Sequence, residues 1–153
     1  MNIKIHWTTA LTLRTDPKLI YSPSILESVD DVPGVYVFAR KYGRRVTPLY
    51  VGKALKLKGR IKQQLNNLRL MRQIQDWEKN GARVLLLGYL KVHGSQDVGT
   101  ALDVVERALI EHGLAEGHPL VNIQGTRTPF HTLSFTGNRM SEQVAPRQMF
   151  AKA

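Results

Sequence analysis

No cysteine occurs among the 153 residues. That absence excludes disulfides and thiolate metal sites. It also fits a reducing cytoplasm, which is the compartment expected for the chain. Long hydrophobic runs are missing as well. No stretch approaches the ~20 apolar residues that a bilayer-spanning helix requires. Met1 to Ala10 carries Lys4 and His6 without a long apolar run, so no signal peptide and no membrane partner are expected. Acidic side chains are scarce: 12 Asp and Glu stand against 22 Lys and Arg, a formal net charge of +10.

The acid deficit is local. From Arg40 to Arg72 there are eleven Lys or Arg and no Asp or Glu. Residues 33–122 carry net +8 (15 basic, 7 acidic), residues 1–32 net −1 (3 and 4) and residues 123–153 net +3 (4 and 1). Basic domains of this kind meet nucleic acid or an anionic surface. The length suggests one domain with a real core. Three segments are expected: an N-terminal extension packed on the domain (1–32), a central domain (33–122), and a basic, partly flexible C-terminal extension (123–153).

Ile3, Ile5 and Trp7 alternate, as in a short strand. Asp16-Pro17 and Ser22-Pro23 mark turns, and Asp30 to Gly34 forms another. Val35 to Ala39 and Val46 to Val51 read as two strands of a hairpin, with Lys41 to Arg44 turning between them and Gly52 breaking the second. Ile61, Leu65, Leu68, Met71, Ile74 and Trp77 give one apolar face to a single helix that starts after Gly59 and stops at Asn80-Gly81. Val84 to Val92 suits a buried central strand. Thr100 is the expected cap of a helix running to about Ala115. Pro119 to Asn122 reads as an ordered return segment, Thr126 to Phe135 as a short strand, and 137–153 as a frayed tail. The fold class is α/β: a central antiparallel three-stranded sheet flanked by helices.

The chemistry concentrates in Pro33-Gly34-Val35-Tyr36, followed fourteen residues after Tyr36 by Tyr50-Val51-Gly52-Lys53, and then by Arg60. Two phenols on paired strands can orient one water or phosphate oxygen. Gly52 permits close backbone approach. Lys53 lies three residues from Tyr50, where an ammonium would stabilise a phenolate. Arg60 opens the basic helix, and a guanidinium can fork onto two phosphate oxygens. A lone strand tyrosine usually packs and a lone lysine is usually solvated, so only the combination carries weight.

Gly34-Val35-Tyr36, Tyr50-Val51-Gly52-Lys53-Ala54 and Arg60 resemble the signature of the GIY-YIG nuclease superfamily, with a Tyr50-to-Arg60 spacing similar to its excision-repair members. That superfamily also uses a glutamate on a later helix and an asparagine beyond it. Glu106, before Leu109-Ile110, and Asn122, in Pro119-Leu120-Val121-Asn122, match those positions. The resemblance covers 33–122, and the Glu106–Asn122 interval is longer than in compact members.

The resemblance implies a divalent-metal-dependent endonuclease that hydrolyses DNA phosphodiesters. Glu106 would hold one Mg²⁺ (or Mn²⁺). Tyr36 and Tyr50 would align and deprotonate water, with Tyr50 favoured as base because Lys53 is near it in sequence. Arg60 would neutralise the phosphoryl group, and Asn122 would orient the site. Asp103, one turn before Glu106, is a candidate partner. His112 and His118 lack a zinc-like spacing and read as surface or packing residues. Arg44, Arg45, Lys56, Lys58, Lys62, Arg69 and Arg72 are the expected nucleic-acid contacts. Nucleic acid is the implied partner, DNA before RNA, and the oligomeric state is left open. The alternative is a non-catalytic nucleic-acid-binding module on the same fold.

Overall fold

A computed structural model describes residues 2–118, 120–123 and 130–152. The main sheet is antiparallel and mixed with helices, an α/β arrangement. Strands β1 (Lys4–Trp7), β3 (Gly34–Tyr42), β4 (Arg45–Ala54) and β5 (Ala82–Lys91) lie in the order β1-β5-β3-β4, and β2 (Leu11–Thr12) also pairs with β5. The expected three-stranded sheet is therefore the β5-β3-β4 core of a five-stranded one. Residues 4–12 add the remaining strands by pairing with β5.

Alternation along the strands sends side chains to two faces. Tyr36, Phe38, Leu85 and Leu87 join Leu57, Ile61, Leu65, Leu70, Met71 and Ile74 in one core. Val35, Val37, Val51 and Val84 face the opposite way, toward Ala101, Leu102, Leu109 and Leu120. Helices α1 (Leu57–Asn66) and α2 (Leu68–Asp76) cover the first face, and α3 (Val98–Ala115) covers the second.

Four expectations are corrected. The single basic helix is two, because Asn67 leaves helical geometry (φ −80°, ψ 85°) and serves both ends. Its N–H donates to the Gln63 and Gln64 carbonyls, and its Oδ1 accepts from Leu70 N at 3.1 Å. The cap of α3 is Asp97, whose carboxylate accepts from Thr100 N at 2.9 Å. Gly52 does not break β4, which runs on to Ala54. The tail is not frayed: β6 (Phe130–Ser134) pairs with β7 (Gln148–Lys152), with a short 3-10 turn, Arg139–Gln143, between them. Within the strand expected over Thr126–Phe135, Thr126 to Pro129 lie outside the described residues, as does Pro119 of the return segment.

Arg83 locks α2 to the sheet. It is 7% exposed on β5. Its Nε donates to Ile74 O at 2.8 Å and its terminal nitrogen to Gln75 O at 3.1 Å, with further bonds to the Trp77 and Glu78 carbonyls. One guanidinium thus satisfies the orphan carbonyls of a helix end and meets the negative end of its dipole. Arg83→Met leaves those carbonyls unpaired, and each buried orphan costs ~1–3 kcal/mol. Urea denaturation should show a loss of about 2–4 kcal/mol. An unchanged midpoint would contradict this role.

Candidate active site

The site is built around Tyr50 to Lys53 on β4, which is an edge strand. Tyr36 lies opposite Gly52 and Phe38 opposite Tyr50, so the two tyrosines are diagonal rather than direct neighbours. Their rings stack with centroids 6.2 Å apart. A Cβ at residue 52 would fall 2.3 Å from both Cζ and the hydroxyl oxygen of Tyr36. Only glycine leaves room for that ring. The Tyr36 hydroxyl accepts a 2.7 Å bond from Gln64 Nε2. Gln64 is a polar residue inside the apolar stripe of α1, and that misfit in the pattern was the sequence signal for it.

Tyr36 is 1% exposed. Burial pushes its phenol up to about 12, opposed by the Gln64 bond and by the nearby Arg60 charge. The cation that acts on this phenol is therefore Arg60, from the first turns of α1. Arg60 itself is exposed and donates to Gln63 Oε1 at 3.2 Å.

Lys53 goes elsewhere. Because β4 is bulged only at Leu49 and keeps its register with β3 from Tyr50 to Ala54, residues 50 and 53 leave opposite faces of the strand. The Lys53 ammonium forms ion pairs with Asp103 and with Glu106 Oε2, the latter at 3.2 Å. Hydrogen bonding to Asp103 raises the Lys53 pKa, with Glu106 adding to it. The expectation that Lys53 sits beside Tyr50 and favours its phenolate is corrected on this geometry.

Asn122 belongs to the same short segment. Val51 N donates to its Oδ1 at 2.8 Å, and its Nδ2 donates to Val51 O at 2.7 Å. The side-chain amide thus pairs with β4 as a neighbouring strand would, between Tyr50 and Gly52. Edge strands are blunted by such covering. No protein-family model, curated protein or solved structure matches the chain.

Among the described residues no three His, Asp or Glu side chains gather in a metal-binding cluster. Asp103 and Glu106, one helical turn apart on α3, do supply two hard carboxylates around one cationic group. That donor chemistry fits an Mg²⁺ bound by few protein ligands and several waters. His118 is partly buried, and burial lowers its pKa.

The expected nucleic-acid contacts do not form one patch. Lys56, Lys58 and Lys62 are exposed at or on α1, and Arg69 and Arg72 are exposed on α2. Arg44 and Arg45 lie at the hairpin turn, at the far end of β4 from Ala54. The strand bulges at Leu49 and spans nine residues of β3, which puts roughly 27 Å between those ends. Asp31, read from the sequence only as part of the Asp30–Gly34 turn, reaches α1 and accepts from Gly59 N at 3.2 Å.

The Tyr36 phenol gives a spectroscopic test. Its raised pKa means that the native state holds a proton that the unfolded chain releases near 10. The stabilisation is complete below pH 10 and is lost as pH rises through about 12. An ultraviolet titration should show a late-ionising tyrosine that vanishes in Tyr36→Phe. The variant should also show a shallower loss of stability above pH 10. Ionisation of Tyr36 near pH 10 would contradict its burial.

Proposed function

We propose that the protein is a GIY-YIG-like, divalent-metal-dependent endonuclease that hydrolyses DNA phosphodiesters at the β4 edge. One observation carries the reading: residues spread from 36 to 122 converge on Tyr50–Lys53. Tyr36 rests on Gly52 and stacks on Tyr50, Asn122 holds Val51, and Glu106 pairs with Lys53. These are the positions that the sequence signature nominates.

Glu106, with Asp103 beside it, would hold Mg²⁺ or Mn²⁺. When bound, the ion supplies positive charge to the scissile phosphate and the leaving oxygen. Tyr36, kept neutral by burial, acts as a fixed hydrogen-bonding wall and not as a base. Tyr50 is half-buried and reachable by water. Its oxygen orients the attacking water and, as the phenolate, takes the proton that the water loses as it bonds to phosphorus, while the bridging oxygen leaves with the bonding pair. Arg60 stands on the phenol side and forks onto the non-bridging oxygens, where charge grows in the transition state. Lys53 holds the two carboxylates in register and offers a second cation to the phosphate. Asn122 keeps the strand segment between Tyr50 and Lys53 straight.

Supercoiled plasmid incubated with Mg²⁺ should be nicked, and chelation should stop the reaction. Glu106→Gln and Arg60→Ala should each lose about 10²–10³ in rate. Tyr50→Phe should lose about 10²–10⁴, the usual span for a general base, and Tyr36→Phe far less. Binding without cleavage under any divalent ion would favour a nucleic-acid-binding module instead.

A further inference from the structure

The β3–β4 hairpin tip, remote from the candidate site, is built to be stiff and basic. Lys41, Tyr42, Arg44 and Arg45 are all exposed there, and Tyr42 is 56% exposed. No ion pair among the described residues involves Lys41, Arg44 or Arg45. The stem below them is fixed on several sides. Arg40 stacks on the Tyr42 ring at 4.9 Å, pairs with Glu78 at 3.3 Å and donates to Asn80 O. Gly81, at φ +94°, lies so close that a Cβ there would meet Lys41 O at 2.6 Å. The α2–β5 turn is thus wedged under the hairpin, and β3 continues as a paired strand between β4 and β5.

A paired strand, bulged only at Leu49, with cations unpaired among the described residues at one end and another basic group at the other, acts as a ruler. Arg44 and Arg45 mark one end of β4. Lys56, Lys58, Arg60 and Lys62 follow the other. The separation of roughly 27 Å between the strand ends, lengthened by the long basic side chains at both ends, is close to one turn of B-form duplex, about 34 Å or ten base pairs. No acidic residue occurs in the sequence between the two groups.

We propose that the hairpin tip is a remote phosphate anchor, so that the protein engages duplex DNA over about one helical turn, with Arg44 and Arg45 holding the backbone roughly ten base pairs from the α1 cations. This rests on the nuclease reading and specifies its substrate as duplex of a minimum length. Backbone contacts of this kind set register without reading sequence.

The test is binding, in chelator, to DNA stem–loops with 6-base-pair and 14-base-pair stems. Wild type is compared with Arg44→Ala/Arg45→Ala and with Arg44→Lys/Arg45→Lys. On the long stem the alanine pair should bind about ten-fold more weakly at low salt, and its log–log salt slope should shrink by about 2. The short stem should be unaffected, and the lysine pair should restore most of the long-stem affinity. Unchanged long-stem binding, or equal losses on both stems, would overturn the anchor while leaving the nuclease reading intact. If wild type binds neither stem but still cleaves plasmid, the anchor falls alone. If it neither binds nor cleaves, both readings fall.

Discussion

A tyrosine ring lying on bare backbone organises the edge strand that carries the candidate site. Tyr36 occupies the space that any side chain at residue 52 would fill. That contact forces glycine into the interior of a strand, where it is ordinarily a weakness. It also sets the diagonal stacking of Tyr36 on Tyr50 and aims the Tyr36 hydroxyl at Gln64 of α1. The loss of a side chain at 52 is therefore what couples β3, β4 and α1 into one packed unit.

Edge strand β4 then divides the chemistry between its two faces. Phenols and Arg60 stand on the α1 side, while Lys53 and the α3 carboxylates stand on the other. Asn122 closes the outer edge by taking both hydrogen-bonding groups of Val51. A phosphodiester brought to this edge would meet a cation from either side. In the proposed reaction the division would separate roles: the buried Tyr36 would stay neutral, the half-buried Tyr50 would meet water, and the carboxylates would hold the metal.

Much of this was legible in the sequence, and the failures have physical causes. Strands β3, β4 and β5 and helix α3 follow from apolar periodicity and β-branched runs. The break at Asn67 escaped because the apolar spacing of Ile61 to Ile74 continues across it, and only an asparagine able to cap both helices betrays it. The placement of Lys53 beside Tyr50 assumed that Gly52 ended the strand. Once β4 runs on, a separation of three residues guarantees opposite faces. The β6–β7 hairpin and the pairing of β1 and β2 with β5 are non-local choices that periodicity does not report. Nothing in the sequence sets Arg83 apart from the other cations, because the α2 carbonyls that it caps come together only in the fold.

The central claim is that the two faces of β4 serve one reaction. A double-mutant cycle on turnover of a labelled duplex tests it most directly, with Arg60→Ala and Glu106→Gln, singly and combined. If both groups stabilise one transition state, the combined variant should be little slower than the worse single variant, because residues acting as a unit are strongly non-additive. If the two losses multiply, Arg60 and Glu106 act independently, and the account of a single site spanning the strand edge is wrong.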